Sequence, residues 1–178
     1  MSRKMLMIKL ICKKNGFERA EYLKKKQIFK SIGEHCYFHP CNIPSEPKLV
    51  SLGDNVVISS GVRIITHDMS YTLLNNHTEK KYGNNNPFFT GEISIGNNVM
   101  IGADAMLMPN ITIGDNVVIA AGSIVTKDIP SNSVVGGVPA RFLESFDEFA
   151  EKRRIIGDKK DGTIWKRYIY KAITTITI

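Results

Sequence analysis

The chain has only three cysteines, Cys12, Cys36 and Cys41, with no CxxC pair among them. That odd, unpaired set excludes a disulfide scaffold and a cysteine metal framework, and fits reduced thiols in a cytosolic protein. Long apolar runs are also missing. Nothing approaches the roughly 20 residues that a membrane-spanning helix needs. The basic start, MSRKMLMIKLICKKNGF, has its short apolar stretch broken by Lys9 and no small-residue cleavage site after it. A secretory signal is therefore not expected. With four histidines in 178 residues, the groups able to exchange protons near neutral pH are few enough to weigh singly.

What is present is ordinary in amount and unusual in arrangement. Apolar residues make up 43% and charged residues 23%, which argues against disorder. The net charge of +7 is concentrated at the ends. Residues 1–30 carry +8 and residues 151–178 carry +5, leaving −6 for residues 31–150. A nucleic-acid binder places its basic groups on the structured face that reads the polymer, so none is expected as a partner here. Basic ends on appended segments fit solvated helices, or a peripheral attraction to anionic lipid or polyanionic glycan.

The dominant pattern is a six-residue period. Aliphatic residues recur at Leu52, Ile58 and Ile64, and again at Ile95, Ile101, Leu107, Ile113, Ile119 and Val125. Neither a 3.6-residue helix nor a two-residue alternation gives that spacing. Each hexapeptide can form a short strand and a turn, three of them closing a triangular coil that stacks on the next at about 4.8 Å. The near-copies SLGDNVVI, SIGNNVMI and TIGDNVVI each carry a Gly-Asn/Asp-Asn corner suited to tight turns. The expected fold is all-β: a parallel β-helix over residues 49–140, in one domain spanning 1–178.

Three segments depart from the period. Residues 17–30 place Ala20, Leu23, Gln27 and Ile28 on one face, which predicts an amphipathic helix. Residues 66–92 interrupt the solenoid with a polar, Asn-rich loop, and loops of that length in a regular scaffold are usually either functional or disordered. Residues 141–178 follow as a cap and basic tail. There Phe142, Phe146 and Phe149 suit a short helix closing the open edge, and Trp165, Tyr168 and Tyr170 lie in the tail.

The stretch ISIGNNVMIGADAMLMPNITIGDNVVIAAGSIVTKDIPSNSVVGGVPARFL closely resembles the hexapeptide-repeat acyltransferases. It is most similar to their galactoside, maltose and capsular-polysaccharide O-acetyltransferase branch. The resemblance covers roughly residues 17–145, with GSIVTKDIP and GGVPAR its most diagnostic parts. It implies a left-handed coil and a homotrimer with active sites between subunits. It also implies an acetyl-CoA-dependent enzyme that needs no metal and acetylates a sugar or polysaccharide precursor in a ternary complex in the cytoplasm. By resemblance, His67 in the loop-opening ITHD is the catalytic base. The backbone of Ala103 and Ala121 would flank the pantetheine and the thioester end, with the Ala103 N–H facing the oxyanion. Thr126 and Lys127 would lie beside the pantetheine and phosphates, and Arg141 near the nucleotide 3′-phosphate.

The chemistry suits a histidine, because a sugar hydroxyl attacks a thioester only as a base removes its proton. Acceptor contacts are expected from Tyr71, Asn84, Asn85 and Phe88 in the loop, and from His39 ahead of the solenoid. His35 and His77 carry no assigned role. Asp68 follows His67 directly, and neighbouring residues of an extended chain face opposite sides, so the partner of His67 stays open. Other acceptors also stay open, including an amino-sugar nucleotide acetylated at nitrogen or an antibiotic. A three-histidine zinc site of the carbonic anhydrase kind lacks its ligands, since only His67 and His77 fall in the solenoid region.

Overall fold

Each hexapeptide forms a strand of two to four residues followed by a corner, and the strands stack into three faces. In the computed structural model, residues 2–83 and 85–158 are described. The first face stacks β1 (Ser31–Ile32), β3 (Val50–Leu52), β6 (Ile93–Ile95) and β9 (Ile111–Ile113). The second stacks β2 (Tyr37–Phe38), β4 (Val56–Ile58), β7 (Val99–Ile101), β10 (Val117–Ile119) and β12 (Ser133–Gly136). The third stacks β5 (Arg63–Ile64), β8 (Met106–Leu107) and β11 (Ile124–Val125). All these pairings are parallel.

The register puts like on like. Leu52, Ile95 and Ile113 stack on one face, Ile58, Ile101 and Ile119 on the next, and Ile64, Leu107 and Val125 on the third. All nine are buried. At one corner Asn55, Asn98, Asn116 and Asn132 adopt φ of 55–60°, a conformation asparagine tolerates better than most residues. Their side-chain amides form a ladder, each donating to the next at 2.9–3.0 Å. The Asn corners of the repeated segments thus join adjacent coils.

The solenoid starts earlier than residue 49. Ile32 and Phe38 already occupy the first coil, paired in parallel with the second, so His35 and His39 lie within it. Phe29 and Phe38 pack edge to face at 5.6 Å and fill the end where the aliphatic period is missing. Over that end lie α1 (Arg3–Ile11), which the sequence pattern did not indicate, and α2 (Gly16–Lys25), burying Leu6, Leu10, Ala20 and Leu23. The expected 17–30 helix is therefore shorter. Gln27 turns to φ 49°, and the Ile28 N–H then bonds back to the Leu23 carbonyl, closing the helix with a left-handed cap. Gln27 and Ile28 are consequently not part of its face.

The far end also differs from expectation. Residues Arg141–Ser145 form β13, antiparallel to β12, before α4 (Phe146–Asp158) begins. Gly137 at φ 96° allows the chain to reverse there, and Phe142 ends on an exposed strand and not on a helix. The tail beyond Asp158, with Trp165, Tyr168 and Tyr170, lies outside the described residues, as does Asn84. All three cysteines are free, and no helix of the described residues is long and apolar enough to cross a membrane.

Candidate active site

His67 stands where the chain leaves the third face. The loop is gathered at its neck: Gly91 N–H donates to Thr66 C=O at 2.9 Å, and His67 and Thr90 form an antiparallel bridge. Beyond the neck lies α3 (Ser70–Asn75), and Asn75 and Asn86 tie the two limbs through side-chain and backbone bonds. The position of His67 is thus set by backbone bonds, independent of what its ring does.

The ring has a defined partner, Glu46. Nδ1 lies 2.8 Å from Glu46 Oε2, with both side chains between a quarter and a third exposed. The same carboxylate oxygen accepts from Thr66 Oγ1 at 2.6 Å, and Thr66 is itself buried. Burial on its own would raise the Glu46 carboxyl, but hydrogen bonds from Thr66 and His67, and the His67 charge, outweigh it and hold it below its ordinary 4.5. When the imidazole is neutral, an ionised carboxylate at Nδ1 makes that nitrogen the donor, which leaves Nε2 as the acceptor.

Asp68 is not the partner. Its carboxylate accepts from the hydroxyl and N–H of Ser70, which lowers its pKa and turns it toward the start of α3. Sequence reasoning missed Glu46, which lies 21 residues before His67 in a proline-flanked segment outside the period.

The sign of the Glu46 shift makes a prediction. A carboxyl whose folded pKa is depressed stabilises the fold above its unfolded pKa, and that contribution is lost as pH falls through the folded value. The stability difference between the wild type and Glu46→Gln should therefore be constant above about pH 4.5 and shrink below it. Denaturant titrations at stepped pH measure this. A difference that grows toward acid would contradict an ionised Glu46.

Among the loop residues, Phe88 lies 5.2 Å from the His67 ring and 5.3 Å from Tyr71, centroid to centroid. These three rings make one cluster. Asn85 is exposed, and no hydrogen bond links it to His67 among the described residues. His39 lies elsewhere: its ring is beside Tyr37 at 6.3 Å and its carbonyl accepts from Arg19. No bond or ring contact joins it to His67 among the described residues.

Of the other five candidate residues, Ala103, Ala121, Thr126 and Lys127 flank the strands of the third face, and Arg141 opens β13. Ala103 and Ala121 stack at the corner where that face begins, with Gly122 N–H donating to Ala103 C=O at 2.8 Å. Among the described residues, the Ala103 and Ala121 N–H groups donate to no other group of the chain. Thr126 and Lys127 leave the far end of the face, the same edge from which His67 departs two coils away. Thr126, Lys127 and Arg141 line one cleft of about 190 Å³ with Ala140 and Phe142. Within one chain, no bond joins His67 to Ala103 or Ala121. The described residues include no group of three or more His, Cys, Asp and Glu placed to hold a metal.

Comparisons with known proteins follow the same outline. The bacterial transferase hexapeptide family (six repeats) matches residues 92–127. The protein CapG of Staphylococcus aureus is 39% identical over 132 residues, covering 72% of this chain and 73% of CapG. The galactoside O-acetyltransferase of Escherichia coli K12 is 40% identical over 99 residues, 56% of this chain but only 45% of that enzyme. Among solved structures, a galactoside acetyltransferase in complex with coenzyme A superposes with a TM-score of 0.60 at 30% identity. That superposition covers 83% of this chain and 80% of the other.

Proposed function

The chain belongs to the bacterial hexapeptide-repeat transferases, and from that premise we propose that it is an acetyl-CoA-dependent O-acetyltransferase acting on a sugar or polysaccharide precursor. The observation that carries the reading is the Glu46–His67 pair, because it leaves His67 Nε2 as a fixed proton acceptor at the mouth of the loop. In the proposed step the acceptor hydroxyl gives its proton to Nε2 as its oxygen attacks the thioester carbonyl. The tetrahedral intermediate then collapses, expelling the CoA thiolate, which takes the proton from the imidazolium. The free Ala103 N–H is the proposed oxyanion donor, worth a few kcal/mol in such a role. Ala121, Thr126, Lys127 and Arg141 are the proposed coenzyme contacts. The cleft lined by the last three supports this: its two cations, Lys127 and Arg141, outnumber its one carboxylate, Asp128, which already accepts from the Thr112 N–H. Tyr71 and Phe88, whose rings cluster with His67, are the proposed acceptor platform.

The site is divided within one chain, since His67 and the Ala103 corner occupy opposite ends of the third face. That division supports a homotrimer in which a neighbour completes each site, with the left-handed coil that the family has. Sedimentation should give a single trimeric species, and a stable monomer at assay concentration would remove this part of the reading. We place the protein in the cytoplasm, drawn to the inner membrane face by its basic ends. On α1, Met5, Ile8 and Ile11 are exposed beside Lys4 and Lys9, a mixed apolar and basic surface that supports this placement. Co-sedimentation with phosphatidylserine vesicles should fall as salt rises; equal recovery with neutral vesicles would oppose it.

The activity is tested by thiol release from acetyl-CoA across free sugars, amino sugars, nucleotide sugars and lipid-linked glycans. Acetyl transfer to a hydroxyl supports the reading. Transfer only to an amine would reassign the enzyme as an N-acetyltransferase, and no acceptor-dependent release would overturn it.

A further inference from the structure

A second cavity of about 190 Å³ opens directly beside His67, between residues 42–45 of the first coil and residues 62–67 of the second. Its lining includes Arg3 and Arg63 but no Asp or Glu. The nearest carboxylate, Glu46, is already engaged by Thr66 and His67. Arg3 reaches in from the first turn of α1 and donates to Ser45 Oγ at 3.2 Å and to the Ile43 carbonyl. Both acceptors are neutral, so its charge is uncompensated, and a guanidinium has five donors to offer. Arg63 is exposed on β5, and its side chain has no hydrogen bond or ion pair among the described residues.

Arg3 belongs to the basic N-terminal segment, but Arg63 stands out from its surroundings. The span 31–150 has a net charge of −6 and only six basic residues, of which Arg63 is one. A neutral sugar needs hydrogen-bonding groups but no net positive charge. Two guanidinium groups without carboxylate partners fit a planar carboxylate or a phosphate, which they recognise through paired N–H donors.

We propose that this cavity holds an anionic group of the acceptor, so that the sugar presented to His67 is acidic, carrying a carboxylate or a phosphate. The inference rests on His67 being the base of the transfer described above. Arg3 and Arg63 hold the anion while the hydroxyl to be acetylated faces Nε2. Their part is binding and orientation, and neither charge enters the proton transfer.

The test uses three acceptors that differ only at C6: methyl glucoside, methyl glucuronide and methyl glucoside 6-phosphate. Acetyl-CoA turnover and equilibrium titration are both measured on the full chain. At least one charged sugar should bind and react with kcat/KM about tenfold or more above the neutral one. Which of the two is favoured distinguishes carboxylate from phosphate. Arg63→Gln should abolish the preference mainly through KM, and Arg63→Lys should restore part of it. Arg3→Gln should do the same, but it also frees the 43–45 segment, so Arg63 is the cleaner site. Equal handling of charged and neutral sugars, or a preference that survives Arg63→Gln, overturns the inference and leaves the acetyltransferase reading intact. If no sugar is turned over, tighter binding of a charged sugar that is lost in Arg63→Gln still supports the anion site, and equal binding overturns it.

Discussion

His67→Ala should lower turnover by about 10²–10⁴ while acetyl-CoA binding persists. The expected loss is large because the hydroxyl nucleophile has no other base within the described contacts of the site. Asp68 is occupied by Ser70, and Glu46 is held by Thr66 on the side away from Nε2. Folding should be spared, since the loop neck closes through the backbone of Thr66, His67 and Thr90 and not through the imidazole. Coenzyme affinity should be spared too, because the proposed contacts Thr126, Lys127 and Arg141 lie two coils or more away. Near-normal kcat in the variant would remove His67 from the chemistry. A loss confined to the coenzyme dissociation constant would make it a binding residue.

Gly102→Ala should damage both the fold and the site, and by a steric route. An added Cβ would lie 2.4 Å from the Ala121 nitrogen and 2.8 Å from the Ala120 carbonyl carbon, both backbone of the next coil. Those atoms cannot rotate away, so the coils must part at the corner that carries Ala103. Overpacking of this kind costs about 1–3 kcal/mol. Displacing a donor by about 1 Å can cost a further 10²-fold in rate. Gly122 is the contrast. It has φ of 69° and nothing within 4 Å of an added Cβ, so Gly122→Ala carries only the left-handed strain of roughly 1–2 kcal/mol. Denaturant midpoints for the pair, read with kcat, separate the two effects. A Gly102 variant with wild-type stability and rate would show that the corner has room that the structure denies it.

The β-helix was legible because its cause is local. A buried position every sixth residue and an asparagine corner at a fixed offset are written into each repeat, and Ile95, Ile101 and Leu107 read the same whether or not their stacking partners are known. The first coil was not legible for the complementary reason. Ile32 and Phe38 keep the six-residue spacing, but only twice, and an aromatic replaces the aliphatic where helices cover the open end. The helix expected at 17–30 failed at its end because Gln27 takes a left-handed cap that is usually glycine's.

The site divides along the same line. His67 could be singled out from the sequence, because its motif opens the loop and few histidines compete with it. Glu46 could not, since no periodicity connects it to His67 and only the stacking of one coil on the next brings its carboxylate to Nδ1. The convergence of Arg3 from α1 with Arg63 from β5 belongs to the tertiary structure in the same way, as does the meeting of Thr126, Lys127 and Arg141 in one cleft. By itself the sequence determined the repeating coil and the residue types available for chemistry, because short-range patterning dictates both. Which charges face one another was decided by the tertiary structure, because coil stacking and helix packing join residues that are distant along the chain.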